Sequence, residues 1–408
     1  MNTKYSIIVP VYNRPDEVDE LLQSLCRQTL KDFEVIIVED GSTTPCKDVC
    51  ENYAGILDLH YYQKENSGPG QSRNYGAERA KGEWLIVLDS DVVLPDSYLE
   101  SVELRVESVE FATAQEAAPK GSAEANSTLY TLNSTLKANS TQNRRAVANS
   151  TLYTLNSTLM CDAWGGPDAA HPDFTPVQKA ISYSMTSFFT TGGIRGGKGK
   201  KMDKFYPRSF NMGIRREVYR ELGGFSRMRF GEDIDFSYRI VEAGYKTVLI
   251  PEAWVWHKRR TDFRKFFRQV KGSGIARINL EKRHPGTMKL VHLLPTVFTV
   301  GVIGLVLLSA VGRLLMYYCG NDEWRWLCLL PWLPILLYSL IILTDSTLKN
   351  KSLKVGLLSV PAAFTQLMGY GFGFIESWWK RCVLKKAEEP AGGQSEKDRQ
   401  SFEQKFYS

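Results

Sequence analysis

The chain has 408 residues, of which 43% are apolar, so it is too long for one ordinary domain and can form a sizeable core. Its net charge of +6 is small, and no recognition-helix or RNA-binding signature accompanies the basic residues, so nucleic acid is not an expected partner. The seven cysteines follow neither a disulfide framework nor a zinc-ligand spacing, which indicates reduced thiols.

The chain begins with a strand and a helix. YSIIVPVYN (5–13) is predicted to be a strand followed by a turn, and apolar residues recur at helical spacing within 16–30. No charged and apolar leader precedes the strand, so the N-terminal domain is expected to stay in the cytoplasm.

Further strands and helices alternate along the first hundred residues. FEVIIVEDGS (33–42) and EWLIVLDSD (83–91) are predicted strands, and GPGQSRNYGAERAKG (68–82) is a turn and a helix. This order predicts an α/β domain with a mostly parallel sheet and helices on both faces. Ligands of such sheets bind beyond the carboxyl ends of the strands. Four polar residues at strand ends should therefore converge on one crevice: Asn13, Asp40, Asp89 and Asp91.

Asp89 and Asp91 form an Asp-x-Asp motif at the end of a buried strand. Such a pair suits Mg²⁺ or Mn²⁺, which prefer oxygen ligands and often bind phosphates as well. The ion would neutralise charge that develops on a departing diphosphate. A turn or helix cap is the alternative, because Asp96 and Ser97 supply capping groups nearby.

Residues 104–160 interrupt the alternation. ANSTLYTLNSTL occurs at 125–136 and again at 148–159, inside a tract rich in Ser, Thr, Asn and Ala. This composition predicts a mobile, low-complexity insertion without catalytic residues.

A basic segment precedes the apolar C-terminal third. Residues 257–289 contain eleven Lys and Arg against two Asp and Glu, which favours an anionic membrane surface. Phe263, Phe266, Phe267 and Val270 lie at helical spacing, with cations on the other side. This pattern predicts a helix in the membrane interface, and packing on the catalytic domain is the alternative.

Three uncharged stretches follow, at 293–312, 327–344 and 355–375. Each is long enough to cross a membrane as a helix. Two spans would keep all flanking basic residues on the cytoplasmic side, whereas a third would place WWKRCVLKK outside. The third stretch contains Pro361 and four glycines, so two or three spans are predicted.

Six segments carry a resemblance to a known family. IIVPVYNR, IIVEDGS, SGPGQSRNYG, VLDSD, RSFNMGIRREVYRELGGF and GEDIDFSYRI occur in this order. Together they resemble the family 2 glycosyltransferases, which have the Rossmann-like GT-A fold and invert configuration at the transferred sugar. The resemblance covers about 1–103 and 161–270. It implies a nucleotide-diphosphate sugar as donor and Mg²⁺ or Mn²⁺ as cofactor.

The resemblance also implies roles for individual residues on the donor side. Pro10, Tyr12 and Asn13 would line the nucleotide pocket, and Asp40 would bind the donor's base. Gly68 and Arg73 would border the nucleotide. Asp89 would face the ribose and the metal, while Asp91 would bind the metal directly.

On the acceptor side, the resemblance assigns Asp233 as the base that takes a proton from the acceptor hydroxyl, with Glu232 as its positioning neighbour. A helix start that attracts acidic residues is the alternative for this motif. His257 follows the predicted strand KTVLIPEAWVWH (246–257) and resembles the late metal-ligating histidine of GT-A enzymes. A structural role is the alternative for a lone histidine.

These inferences divide the chain into six regions. They are a nucleotide-sugar-binding half (1–103), the insertion (104–160), an acceptor and catalytic half (161–260), a basic interfacial helix (261–289), a transmembrane region (290–376) and a polar charged tail (377–408).

The expected function is that of a multi-pass enzyme of the inner membrane with its catalytic domain in the cytoplasm. It would transfer sugar to a lipid-linked or other glycan acceptor, in contact with membrane lipids. A processive polysaccharide synthase is a second interpretation, although no Gln-x-x-Arg-Trp motif precedes the apolar helices. A third is a nucleotide-sugar-binding membrane protein that has lost catalysis, against which the intact Asp89, Asp91 and Asp233 argue.

Overall fold

The computed structural model describes residues 3–106, 161–171, 173–191, 205–319 and 324–388. Both copies of the repeat and most of the polar tail lie outside the described residues, so the predicted mobility of the insertion stays a prediction. Residues 98–106 are helical, which carries regular structure slightly past the predicted boundary at 103.

Up to residue 93 the chain has the alternating order that the sequence predicts, with two additional strands and one additional short helix. The additions are the strands Asp58–Lys64 and Val92–Val93 and the helix Lys47–Glu51. The elements are β1 (Tyr5–Val11), α1 (Pro15–Cys26), β2 (Phe33–Asp40), α2 (Lys47–Glu51), β3 (Asp58–Lys64), α3 (Pro69–Ala77), β4 (Trp84–Leu88) and β5 (Val92–Val93).

The second half contains shorter elements. They are β6 (Ala163–Gly165), β7 (Asp168–Ala169), α4 (Pro176–Thr186), α5 (Phe188–Thr191), β8 (Asn211–Arg215), α6 (Arg216–Glu221), α7 (Glu232–Glu242), β9 (Thr247–Leu249) and β10 (Val255–His257). The prediction of one strand over 246–257 is wrong, because the chain leaves β9 and turns after Pro251 before β10 begins. Proline has no N–H to donate to a strand ladder, which favours a break at this point.

Seven strands form one mixed sheet in the order β3-β2-β1-β4-β8-β6-β9. Strand β8 runs antiparallel to both of its neighbours, and the other four pairings are parallel. A smaller sheet pairs β5, β10 and β7. This GT-A-like architecture confirms the predicted α/β class with a mostly parallel sheet.

Apolar side chains cover both faces of the large sheet. Ile7, Val9 and Ile86 point to a cluster that includes α1, whereas Ile8 and Val87 point to a cluster that includes Phe236 of α7. This alternation is the period of two that a strand imposes on its side chains. Helices therefore cover the sheet on both sides, and the carboxyl ends of the parallel strands stay open.

The described part of the C-terminal region contains five further α-helices: α8 (Phe263–Arg283), α9 (Leu294–Cys319), α10 (Arg325–Leu329), α11 (Trp332–Asn350) and α12 (Leu353–Trp378). A 3-10 turn (Leu290–His292) precedes α9, and a π-helical turn (Trp379–Val383) follows α12. Three helical segments are long and apolar enough to cross a membrane, namely Leu290–Cys319, Arg325–Asn350 and Leu353–Val383. The last of them continues through Pro361. The number of spans stays a prediction.

Helix α8 packs on protein along its apolar side. Phe266 and Val270 are 0% and 4% exposed, and they contact Ile181 and Met185 of α4. A Cβ on Gly274 would lie 2.1 Å from the backbone oxygen of Tyr370, so α8 and α12 approach closely. The apolar side chains of α8 therefore pack on protein, which was the alternative interpretation of the sequence pattern. A position of α8 at a membrane interface stays a prediction.

Candidate active site

A cavity of about 790 Å³ opens where β1, β2 and β4 end. It is bounded on the far side by the start of α7 and by one side of α8. Both predicted carboxylate pairs therefore face the same space. The predicted site residues that line the cavity are Pro10, Tyr12, Asp40, Arg73, Asp89, Asp91, Glu232 and Asp233.

Asn13 supports the cavity wall and is not among its lining residues. Its side-chain oxygen accepts hydrogen bonds from the backbone N–H groups of Thr43 and Thr44 at 2.8 and 2.9 Å. Its backbone is left-handed, with φ at 55°, a conformation that asparagine tolerates better than most residues. Asn13 thus holds the loop that follows β2, and its predicted contact with the nucleotide stays a prediction.

Asp40 is buried and already accepts several hydrogen bonds. Oδ1 accepts from the backbone N–H of Ser67 at 2.9 Å and from the Lys64 ammonium, and Oδ2 accepts from the N–H of Gly68 at 2.9 Å. Gly68 therefore fixes Asp40 and does not itself line the cavity. A donor base that binds Asp40 must share the carboxylate with these groups.

Asp91 is the centre of a charged network on the donor side. Its Oδ1 lies 3.2 Å from Nε2 of His257, and its Oδ2 lies 2.9 Å from Arg14 and 3.7 Å from Arg260. Burial alone would raise the pKa of Asp91, but the hydrogen bond from His257 and the three neighbouring cationic groups outweigh it and lower that pKa. Asp91 is therefore ionised.

Asp89, Asp91 and His257 fit a divalent ion. One potential ligand atom from each residue lies within 4.8 Å of the others. Neighbouring ligands of an octahedral Mg²⁺ or Mn²⁺ lie about 3 Å apart, close to the 3.2 Å between Asp91 and His257. The other ring nitrogen of His257, Nδ1, is buried without a hydrogen-bond partner among the described residues. A nitrogen ligand favours Mn²⁺ over Mg²⁺, which prefers oxygen.

Arg73 connects the two carboxylate pairs. One of its terminal nitrogens, Nη2, donates to Asp89 at 2.8 Å, and the other, Nη1, donates to Glu232 at 3.1 Å. Its side chain is 4% exposed, so the guanidinium is held between the two acids. Burial and the charge of Asp233 raise the pKa of Glu232 despite this contact.

Asp233 is held by Arg208. Nε of Arg208 donates to Oδ2 of Asp233 at 2.6 Å, and the backbone N–H of Ile234 donates to Oδ1 at 2.9 Å. Burial would raise the pKa of Asp233, but the charge and hydrogen bond of Arg208, together with Arg73, lower it. Asp233 is therefore a carboxylate that can accept a proton once a hydroxyl approaches it.

The sequence did not reveal the cationic lining of the cavity. Arg14 and Arg208 were not identified, because an arginine after a strand or turn has no distinctive local pattern. Each of the three basic residues after His257 is paired with an acid. Lys258 contacts Glu20 at 2.6 Å, Arg259 contacts Asp168 at 2.5 Å, and Arg260 contacts Asp91.

A second acidic group lies at the opposite end of the sheet. Glu34, Asp58 and His60 have potential ligand atoms within 4.8 Å of one another. The Lys81 ammonium lies 3.8 Å from Glu34 and 3.4 Å from the His60 ring, so it already supplies a positive charge there. This group is remote from the cavity and takes no part in the site.

Comparisons with known proteins support the assignment of the chain. Residues 6–149 match the family model described as Glycosyl transferase family 2, and residues 209–343 match the model described as Glycosyl transferase family group 2. The two matches contain both carboxylate pairs. The chain therefore belongs to the family 2 glycosyltransferases.

Similar proteins of known sequence cover only part of the chain. A glycosyltransferase of Haemophilus influenzae is 46% identical over 86 residues, which are 21% of this chain and 29% of that protein. The poly(ribitol-phosphate) beta-N-acetylglucosaminyltransferase TarS of Staphylococcus aureus is 40% identical over 92 residues, which are 22% of this chain and 16% of that protein. A glycosyltransferase of Rickettsia felis is 35% identical over 109 residues, 27% and 18% of the two chains. The chain thus spans less than a third of each of these relatives.

Two solved structures have a low overall similarity to the chain. The mannosyltransferase PcManGT from Pyrobaculum calidifontis in complex with GDP-Man and Mn²⁺ has a TM-score of 0.49 and 14% identity, and the match covers 93% of this chain and 88% of that one. S. aureus TarS 1–349 in complex with UDP-GlcNAc has a TM-score of 0.42 and 15% identity, with 92% of both chains covered.

Proposed function

We propose that this protein is a membrane-bound, metal-dependent inverting glycosyltransferase. It moves a sugar from a nucleotide-diphosphate donor to an acceptor hydroxyl at the cytoplasmic face of the inner membrane. The observation that carries the proposal is that both carboxylate pairs, Asp89 with Asp91 and Glu232 with Asp233, line one cavity. On the donor side, Asp91 also contacts His257. Membership of the family supports transfer of a glycosyl group.

The donor side is suited to a diphosphate. Asp89, Asp91 and His257 would hold Mn²⁺ or Mg²⁺, which when bound supplies positive charge to the leaving diphosphate. Arg14 and Arg260 add two guanidinium groups beside Asp91. Guanidinium groups bind phosphate oxygens well because their donors match the oxygen geometry.

The acceptor side is suited to proton removal. The acceptor oxygen forms a bond to the anomeric carbon while the bond to the donor diphosphate breaks, and the hydroxyl proton passes to Asp233. A single displacement of this kind inverts the configuration at the sugar. Glu232 is bound to Arg73 and acts as a positioning residue, because the same arginine also holds Asp89 on the donor side.

The helices support a location at the bilayer. Helix α12 belongs to an apolar segment long enough to cross a membrane, and it packs closely on α8. Helix α8 in turn lines the cavity through residues such as Gln269 and Ser273. An acceptor anchored in lipid would therefore reach the cavity over a short path, which favours a lipid-linked glycan or another envelope precursor.

The first test measures nucleoside diphosphate released from a panel of nucleotide sugars by membranes that carry the protein. We expect one donor to be consumed with Mn²⁺, more slowly with Mg²⁺, and not with a chelator. Asp233→Asn should abolish transfer while the donor still binds, and Glu232→Gln should retain measurable transfer. Full transfer by Asp233→Asn would overturn the assignment of the base, and chelator-resistant transfer would overturn the metal requirement.

A further inference from the structure

We propose that the acceptor carries a phosphate group, which binds in the part of the cavity formed by α8. We call this part the α8 lobe, and it is lined by Phe230, Lys265, Arg268, Ser273, Arg277 and Tyr370. The inference rests on the proposed function, since an acceptor must occupy the cavity beyond Asp233 when a donor fills the side of Asp89 and Asp91.

The cavity has more positive than negative charge. Eight Lys and Arg side chains line it, against five Asp and Glu side chains, among the residues described. Four arginines are already paired with its acids: Arg14 and Arg260 with Asp91, Arg73 with Asp89 and Glu232, and Arg208 with Asp233. A bound diphosphate with one divalent ion adds almost no net charge. The excess therefore remains after the donor binds.

Three other cations, Lys265, Arg268 and Arg277, line the α8 lobe, and no acidic side chain is among the described residues that line it. Lys265 is paired with Asp262 at 3.6 Å, so the two arginines carry the inference. Arg268 is exposed and has no ion pair or hydrogen bond with any residue in the described part of the chain. Arg277 lies near two phenol groups, the Tyr238 hydroxyl at 3.4 Å and the Tyr370 hydroxyl, but its Nε is buried without a hydrogen-bond acceptor among the described residues. A buried guanidinium nitrogen that lacks an acceptor is costly unless a ligand supplies one.

The other walls of the lobe are apolar, so they suit a lipid chain that carries the phosphate. Phe230 and the Tyr370 ring provide apolar surface in the lobe, and Ala276 and Leu280 of α8 add to it in the same cavity. Tyr370 belongs to α12, one of the apolar helices, so the lobe lies next to the region expected in the membrane. A neutral glycan would leave both arginines without a counter-charge. A phosphate on a lipid chain satisfies the charge and the apolar wall together.

The test measures dissociation constants of three probes for the full-length protein in detergent micelles by calorimetry. Farnesyl phosphate has the phosphate and an apolar chain, farnesol has the chain alone, and glycerol 3-phosphate has the phosphate alone. We expect farnesyl phosphate to bind and farnesol to bind at least about 10-fold more weakly, because a charge-assisted hydrogen bond is lost. Binding of glycerol 3-phosphate as well would show that the phosphate suffices; its failure would show that the lipid chain is required.

Variants locate the binding site within the cavity. Arg268→Gln and Arg277→Gln should each weaken farnesyl phosphate binding about 10-fold. Arg264→Gln is the matched control, because Arg264 lies on the same helix but does not line the cavity. Arg268 is exposed, so its replacement tests the inference even if Arg277→Gln fails to fold.

The outcomes separate this inference from the proposed function. Unchanged binding in Arg268→Gln, or equal affinity for farnesol, would overturn the phosphate subsite. Arg14→Gln should leave farnesyl phosphate binding intact, because Arg14 lies beside Asp91 on the donor side. A loss of binding in this variant would place the phosphate on the donor side and also overturn the inference. Absence of nucleotide release by the wild-type protein would count against the proposed function alone, because probe binding needs no donor.

Discussion

The contact between α8 and α12 can be tested by adding one methyl group. In Gly274→Ala the new Cβ would lie 2.1 Å from the Tyr370 carbonyl oxygen and 2.8 Å from the Phe374 nitrogen. Ordinary van der Waals contact begins near 3.4 Å. The helices must therefore separate by about 1.3 Å at this point, since backbone atoms cannot rotate away as a flexible side chain does.

We expect this separation to reduce both stability and transfer. Overpacking of a tight contact costs about 1–3 kcal/mol. A displacement of about 1 Å in a wall of the substrate cavity can reduce the catalysed rate by about 100-fold. The measurements are the thermal unfolding midpoint of the solubilised protein and the initial rate of transfer. Both should fall in Gly274→Ala.

Gly301→Ala is the matched control. Gly301 also lies inside an apolar helix, α9, but a Cβ there would meet no heavy atom within 4 Å. Both variants gain the same helix propensity, about 1 kcal/mol for Gly to Ala. If Gly274→Ala unfolds at the same temperature and transfers at the same rate as Gly301→Ala, the close packing of α8 on α12 is refuted.

Three further predictions concern the site and its attachment to the helices. Arg208→Gln removes the charge that lowers the pKa of Asp233, so this pKa rises; because the ionised carboxylate is the base, the acid limb of the pH–rate profile should move to higher pH. An unmoved limb would mean that another group accepts the proton. His257→Gln removes the nitrogen ligand beside Asp91 and should weaken Mn²⁺ binding about 10- to 100-fold, measured by Mn²⁺ electron paramagnetic resonance, with His60→Gln as control. Equal affinity in the two variants would exclude His257 as a ligand. Tyr183→Phe deletes the 2.6 Å hydrogen bond from α4 to Asp345 of α11 and should lower the stability of the solubilised protein by about 1 kcal/mol, measured by thermal unfolding; no change would show that this contact contributes nothing.

The sequence predicted the elements whose side-chain pattern is regular. Strands β1, β2 and β4 are runs of apolar residues followed by polar ones, and the acids at the ends of β2 and β4 do reach one cavity. The three apolar stretches also appear as helices that are long and apolar enough to cross a membrane.

The sequence could not predict contacts between distant segments. Arg73 and Glu232 are 159 positions apart, and their hydrogen bond depends on how α3 and α7 pack. The pairing of Arg208 with Asp233 has the same origin, since a basic residue can find many acidic partners of similar energy. The apolar stripe of α8 was compatible with lipid or protein, and its buried side chains against α4 and its close glycine contacts with α12 show that it packs on protein.

The antiparallel pairing of β4 with β8 has a consequence for folding. Leu85 pairs with Ile214, so two central strands of the sheet meet only after about 130 residues have been synthesised between them. The sheet is therefore completed late, when the ribosome is already close to the apolar helices. Loop-closure entropy grows only with the logarithm of length, so residues 107–160 add roughly 0.5 kcal/mol to the entropic cost of this pairing. Such a small cost explains how the chain accommodates a duplicated tract between two neighbouring strands.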